Sequence, residues 1–497
     1  MSTHLAGAAA LLALTGCDLV FGFGDPGAPD AADAPPATNA VRVELVRRGV
    51  RNDVSGEPML ESAPFRLPVD SITLADGTSP TVTSDAAGFL TFARGSGDEG
   101  YRVELIDDGG GIEIQATAAA LRFAVPEYGR LDRVVPAIDP VVNFGVAAAP
   151  PGSSIQVVST GVWTQTAFDP LTPKIDWGTT GAFTSPPGML QASANDRAYA
   201  IRRDPVADPA APHSAVVAAC EVSPALEMAS DGRYATGCIL APVPASACIR
   251  LEAPLATEDL RLHGALAAPE LYTQAGSLWA ILAVPAPSLS PRVGFELAVA
   301  TASPARDWSA DVRVANPFPG HALRLSAAAS RIRSVSRTGA QPVDLAAITY
   351  ETETPAAECS APSPIGGTTA IPGGFVLDGT ALAENASLML TSAPRITLRW
   401  DHAASGDADY HVVLLHEVTT AAVGGVLTTT VVPRRLYVTT TMSADIESAL
   451  LEVGHAYVIG VLAVRGVPGA ADGDLDTRDP GSEGGALTYS GVFTIQL

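Results

Sequence analysis

The sequence predicts an all-β protein in which several β-sandwich domains follow one another along the chain. Apolar and polar residues alternate over short stretches such as Val41-Arg-Val-Glu-Leu-Val46 and Tyr101-Arg-Val-Glu-Leu105, and a period of two is that of a half-buried strand. The 46 Gly and 40 Pro make up about 17% of the chain, against an ordinary ~12%, which favours short strands joined by tight turns. A length of 497 residues is too great for one hydrophobic core and predicts roughly three or four domains.

Composition and charge exclude two broad classes of protein. Apolar residues form 47% of the chain, which is enough for real cores, so the chain as a whole is not disordered. The 53 acidic and 30 basic side chains give a net charge of −23, and such a surface repels phosphate backbones. We therefore predict no nucleic-acid partner, and the simplest role of the charge is solubility.

The first residues have the pattern of an export signal. Residues 5–14 form an uncharged apolar run of signal-peptide length, too short to span a bilayer as a helix. The run ends in Leu14-Thr-Gly-Cys17, which resembles the lipobox of bacterial lipoproteins. The resemblance implies that residues 1–16 are a signal peptide and that the Cys17 thiol receives a diacylglycerol, so that fatty acids such as palmitate anchor the mature chain. The alternative is a cytosolic chain with a buried N-terminal helix.

A tether is predicted behind this anchor. Residues 24–40 consist only of Gly, Asp, Pro, Ala, Thr and Asn, which cannot bury enough apolar surface to fold. We predict that residues 17–40 form a lipidated, disordered segment that holds the folded domains off a membrane. The predicted location is the bacterial cell envelope, either periplasmic or exposed at the cell surface.

Cysteine usage fits an oxidising compartment. Setting Cys17 aside leaves an even number of cysteines, which predicts two disulfides: Cys220, Cys238, Cys248 and Cys359. Three pairings are possible, and the sequence does not choose between them. No two of these residues have C-x-x-C spacing, so a zinc site or a redox motif finds no support, and buried free thiols are the alternative.

Residues 41–133 are predicted to form a small β-sandwich. The stretch TSDAAGFLTF at residues 83–92, followed by Tyr101, resembles the carboxypeptidase regulatory-like, transthyretin-type domain. The resemblance implies that Asp85 and Gly88 shape a hairpin and that alternate aromatics enter the core, with a leucine in place of the first. The domain is an accessory one in that family, so no peptidase activity follows.

Residues 134–374 are predicted to form one or two further sandwiches. Short apolar runs such as SLWAILAV at residues 277–284 are separated by proline-rich turns, as expected for strands of a sandwich.

Residues 387–497 give a sharper pattern. Arg395-Ile-Thr-Leu-Arg-Trp400 alternates, and Leu451-Glu-Val-Gly454-His-Ala-Tyr457 leads into an apolar run. Together they resemble a fibronectin type III domain. The resemblance implies that Trp400 packs the core and that Tyr457, at the corner before a strand, hydrogen-bonds back to the backbone. The alternative is another sandwich with a buried Trp.

One acidic segment has the spacing of calcium ligands. The spacing is that of an EF-hand loop, with three Asp at alternate positions and Glu at the twelfth: Asp472, Asp474, Asp476 and Glu483. Thr477 stands where the sharp turn of such a loop requires Gly. The sequence therefore predicts either a calcium site or a plain, solvated acidic loop without a cofactor.

Linear motifs assign no catalytic residue. Histidines after the leader are few and scattered: His213, His263, His321, His402, His411, His416 and His455. On a strand His411 and His416 face opposite sides, and His416-Glu417 lacks the second His of H-E-x-x-H. Asp107-Asp108 precedes three glycines and is typical of a turn, and neither a G-x-S-x-G nor a P-loop motif occurs.

These observations favour a non-catalytic envelope lipoprotein whose β domains bind macromolecules, a protein or a glycan. This expectation rests on analogy at the level of the fold. The alternative is a secreted hydrolase of envelope or extracellular polymers, with its site within residues 134–374 and the other sandwiches as accessory modules.

Overall fold

The computed structural model describes residues 39–496 with internal gaps. Outside the description are residues 1–38, 56, 66–70, 86–87, 98, 106–110, 127–129, 133–140, 144–149, 160–163, 169–173, 177–190, 209–210, 223–232, 236–237, 286–294, 319–320, 338, 357, 480–481 and 497. The predicted signal peptide, Cys17, the tether and the Asp107-Asp108 turn therefore lie outside the described residues.

Strands dominate the described residues, and the all-β prediction is confirmed. The amino-terminal unit contains β1 (Ala40–Asn52), β2 (Pro58–Pro64), β3 (Ile72–Leu74), β4 (Thr83–Ser84), β5 (Leu90–Ala93), β6 (Tyr101–Leu105), β7 (Ile112–Ala116) and β8 (Ala120–Pro126). The central unit contains β9 (Val141–Asn143), β10 (Ser154–Ser159), β11 (Thr164–Phe168), β12 (Lys174–Asp176), β13 (Ala198–Val206), β14 (His213–Val222), β15 (Arg233–Ala235), β16 (Ala241–Pro242), β17 (Ala247–Ala253), helix α1 (Leu255–Ala265), β18 (Tyr272–Pro285), β19 (Phe295–Ala302), β20 (Trp308–Val314), β21 (His321–Val335), β22 (Val343–Glu353) and β23 (Pro362–Pro364). The carboxy-terminal unit contains β24 (Ile371–Leu377), β25 (Thr380–Ala381), β26 (Ala386–Met389), β27 (Arg395–Ala404), β28 (Tyr410–Val423), β29 (Val426–Thr439), β30 (Ser443–Glu447), β31 (Ala456–Arg465), β32 (Ser482–Tyr489) and β33 (Phe493–Gln496).

The amino-terminal unit is a sandwich whose two sheets meet through alternating side chains. In one sheet β1 lies between β8, which is parallel to it, and β2 and β5, which are antiparallel to it. The other sheet contains β3, β6 and β7. In β6 Tyr101, Val103 and Leu105 are buried while the residues between them are partly exposed, so the predicted period of two is confirmed.

The hairpin before β5 contains the two residues singled out by the transthyretin-type resemblance. The Asp85 side chain accepts a hydrogen bond from the Phe89 amide at 3.0 Å, and Gly88 has a φ of +89°, a conformation that favours glycine. Phe92 and Tyr101 pack edge to face with ring centroids 5.2 Å apart. Membership of that family stays a prediction.

The central unit has a core between two sheets around two tryptophans. Strands β14, β19, β18 and β21 pair in one sheet, and β20, β17 and β23 pair in the other. Trp279 and Trp308 are fully buried, with ring centroids 6.0 Å apart. Helix α1 was not predicted from the sequence, and it packs Leu262 and Ala265 into a small buried cluster with Ile371 of β24. In the described part of the chain, no helix has both the length and the apolar composition needed to cross a membrane.

The carboxy-terminal unit has the fibronectin type III-like arrangement. One sheet runs β25, β24, β27, β30, and the facing sheet contains β29, β28, β31 and β32. Trp400 and Tyr457 are buried in the core between them. The Tyr457 hydroxyl accepts a hydrogen bond from the Glu452 amide at 2.7 Å, which is the predicted tyrosine corner.

Strands also join the units to one another. Residues 112–115 of β7 pair in parallel with residues 436–439 of β29, and residues 348–353 of β22 pair with residues 482–487 of β32. Where β7 meets the carboxy-terminal unit, Arg395 donates two hydrogen bonds of 2.7 Å to Glu113, which is 1% exposed. The domains follow one another along the chain, but the first and last are also packed together.

Candidate functional site

An open, polar cleft lies on the carboxy-terminal unit, at the loop between β27 and β28. Its volume is ≈ 470 Å³. Its lining is mainly polar or glycine: His402, Gly406, Asp407, Ala408, Asp409, Arg465, Gly466, Pro468 and Asp479.

Hydrogen bonds fix the walls of the cleft. Asp409 accepts hydrogen bonds of 2.7 Å from the amides of Gly466 and Val467. The Asp407 amide donates to the Thr368 carbonyl at 2.9 Å. A Cβ at Gly406 would lie 2.5 Å from the backbone of residues 369–370, so only glycine fits this close approach. The cleft is therefore preformed, as binding sites usually are.

The charge balance of the cleft is negative. Arg465 is paired with Glu351, which is 3% exposed and also accepts hydrogen bonds of 2.8 Å from the amide and hydroxyl of Thr369. The Arg465 charge is thereby neutralised, whereas the side chain of Asp407 is exposed to solvent. Such a surface suits cationic or polyhydroxyl groups better than anions.

Two histidines meet at the inner wall of the cleft. The Nε2 atoms of His402 and His411 are 3.0 Å apart, and His411 is 3% exposed. Burial lowers the pKa of His402, and burial together with the neighbouring His402 lowers the pKa of His411 to about 3. Both rings are therefore neutral at pH 7. Sequence spacing does not pair these two residues, because they lie on strands of opposite sheets.

His411 makes stability depend on pH. The folded state keeps this ring neutral down to about pH 3, whereas the unfolded chain protonates it near pH 6.5, so stability is lost as the pH falls through this window. We expect the free energy of unfolding to fall by about 2 kcal/mol more in the wild type than in His411→Gln between about pH 7.5 and about pH 5. Denaturant titrations at the two pH values measure this difference. Equal losses in both proteins would contradict it.

The four acidic residues predicted to bind calcium occupy different environments. Asp476 is completely buried and contacts the guanidinium groups of Arg48 at 2.7 Å and Arg122 at 3.1 Å. Asp474 accepts hydrogen bonds from the amides of Asp476 and Thr477, and Asp472 is exposed.

Glu483, the fourth of these acids, is buried and interacts electrostatically with Arg324 and Arg478. Among the described residues no three His, Cys, Asp or Glu are grouped so that they could hold a metal ion. The calcium site stays a prediction. Calorimetric titration of the full chain tests it, since no heat at millimolar calcium would end the idea.

The four predicted disulfide cysteines form two bridges. Cys220 pairs with Cys238, and Cys248 pairs with Cys359, with Cα atoms 5.9 Å and 5.0 Å apart. The structure thus selects one of the three pairings that the sequence left open. Disulfides persist in oxidising compartments, so the chain is assigned to a location outside the cytosol.

Comparisons with known proteins give no family. No protein-family model matches the chain, and no curated protein matches it. Among solved structures, the chain is similar to the FN1–FN3 domains of chicken CNTN1, with 10% identity and a TM-score of 0.12 over 63% of this chain and 83% of that one. It is also similar to trypsin-activated α-2-macroglobulin from Escherichia coli, with 8% identity and a TM-score of 0.13 over 92% of this chain and 30% of that one. Such low scores support no inference about function, and the fibronectin type III-like assignment rests on the sheets and the tyrosine corner.

Proposed function

We propose that this chain is a non-catalytic lipoprotein of the bacterial cell envelope that binds a protein or a glycan through its β-sandwich body. Cys17 would carry the lipid, and residues 17–40 would link it to the folded units. The observation that carries the proposal is the pair of disulfides in the folded body, because it agrees with the export signal and lipobox pattern at the amino terminus.

The cleft beside His402 is the proposed binding surface. It is open and preformed, and it presents carboxylates, an imidazole and backbone groups, which are suitable hydrogen-bonding partners for a sugar or a peptide. Its negative balance and the net charge of −23 argue against nucleic acid.

The anchor is tested by metabolic labelling with a palmitate analogue. We expect label on the wild type and none on Cys17→Ala, because the thiol is the acceptor of the lipid. In cell fractionation we expect the wild type in the membrane fraction and Cys17→Ala in the non-membrane fraction, because the acyl chains supply the affinity for the bilayer. Equal labelling and equal fractionation of the two proteins would contradict the anchor.

Binding is tested separately with purified envelope polysaccharides and peptidoglycan fragments. We expect at least one polymer to retain the wild-type protein. Retention should be weaker for Asp407→Ala and unchanged for Asp472→Ala, because the Asp472 carboxylate is exposed and lies outside the cleft. Retention without release of reducing ends supports a binding protein. Release of reducing ends would instead support the alternative, a hydrolase, whose site was predicted within residues 134–374 rather than at this cleft.

A further inference from the structure

The pair formed by His402 and His411 has an unusual geometry. The two Nε2 atoms are 3.0 Å apart and the ring centroids are 5.3 Å apart. The distance between centroids exceeds the distance between nitrogens by about two ring radii, as it does when both nitrogens lie on the line joining the centroids. The nitrogens therefore point directly at each other, and one ring donates its N–H to the lone pair of the other. Two imidazoles that chelate a metal from the same side would instead have their nitrogens turned towards a third point.

We propose that this pair is a two-coordinate binding site for a soft monovalent cation of the copper(I) and silver(I) class. The ion would lie between the two Nε2 atoms, in place of the shared proton. The donating ring would move that proton from Nε2 to Nδ1, so that both rings stay neutral and no proton is lost overall.

The ligands fit the chemistry of such ions. Imidazole is a good ligand for copper, and facing lone pairs suit an ion that needs only two ligands in a line. Metal–imidazole bonds of about 2 Å on each side require nitrogens about 4 Å apart, about 1 Å more than the separation here. An ion that needs three or four protein ligands finds no such group among the described residues.

The surroundings allow one ring to move while the other stays fixed. His411 is 3% exposed and packs edge to face against Trp400, with ring centroids 5.2 Å apart. His402 is only partly buried and lines the open cleft, so it can move outward by the required distance.

The cleft also favours entry of a cation. Asp401 acts electrostatically on His402, and Asp407 lines the same cleft, so the local charge is negative. Arg465, the cation of the cleft wall, is neutralised by Glu351.

Silver(I) tests the site without a reductant, which would otherwise attack the disulfides. The full chain is used with Cys17→Ser in every sample, because the other four cysteines are paired. Equilibrium dialysis with elemental analysis measures bound silver for this protein, for His402→Gln and for His455→Gln. Glutamine at residue 402 can still donate a hydrogen bond to His411, so this variant keeps the fold while losing the ligand.

We expect the parent and His455→Gln each to bind one silver ion tightly. In His402→Gln the affinity for silver should fall by more than about 100-fold, because losing a direct ligand costs more than the 10–100-fold typical of losing an outer-shell partner. Zinc should not bind tightly at this pair, because it prefers four ligands. Unchanged silver binding in His402→Gln would overturn the proposal. So would equal loss in His455→Gln, or zinc binding as tight as that of silver.

Discussion

Replacing both Cys248 and Cys359 with serine is expected to lower the free energy of unfolding by about 5 kcal/mol. The bridge joins residues 111 positions apart, and a cross-link that closes so long a loop removes much of the conformational entropy of the unfolded chain. Cys248 lies on β17 and Cys359 precedes β23, so the bridge also closes the three-stranded sheet of the central unit. Denaturant unfolding followed by circular dichroism measures the loss.

The second bridge is the matched control. Cys220 and Cys238 are 18 positions apart, so replacing both with serine should cost only about 3 kcal/mol. If the two double variants lose the same stability, loop length does not govern the effect. A loss in the Cys248/Cys359 variant of less than about 2 kcal/mol would contradict the first expectation.

Asp476→Asn is expected to destabilise the protein by about 3 to 5 kcal/mol, because it leaves buried guanidinium charge without its counter-ion. Asp476 is completely buried, and its carboxylate contacts Arg48 of β1 and Arg122 of β8. The segment that carries it follows β31, so this contact links the first and last units of the chain. The free energy of unfolding, measured by denaturant titration, reports the effect.

Asp472→Asn is the control, since this carboxylate is exposed and belongs to the same acidic segment. Its effect should stay within about 0.5 kcal/mol, as is usual for surface substitutions. In addition, Asp476→Leu combined with Arg48→Leu should recover part of the stability that either single change loses, because the pair is then removed together. Equal, small losses in Asp476→Asn and Asp472→Asn would show that Asp476 behaves as a solvated loop residue.

The acidic segment shows where spacing alone was insufficient. Four carboxylates at calcium-ligand spacing predicted a possible common centre, but spacing does not reveal which side chains turn inward. Asp476 turns towards two arginines that lie more than 350 positions earlier in the chain. No local pattern predicts such partners.

The histidine pair shows the same limit more clearly. On β28, the residues on either side of His411 face the neighbouring unit. The period of two along a strand therefore turns His411 the other way, into the core of its own sandwich. His402 lies on β27 in the opposite sheet. Whether the two rings meet depends on how the sheets are stacked, and that is set by packing across the core.

Features that arise from local chemistry can be predicted from the amino-acid sequence. Strand periodicity predicted the all-β class, and the spacing from Leu451 to Tyr457 predicted the tyrosine corner, because alternation and short-range hydrogen bonds depend on neighbouring residues. Three further features are established only in the folded protein: the disulfide pairing, the edge pairing of β7 with β29 and the cleft. These features join residues that are distant in the chain, and their contacts exist only once separate sheets have packed together.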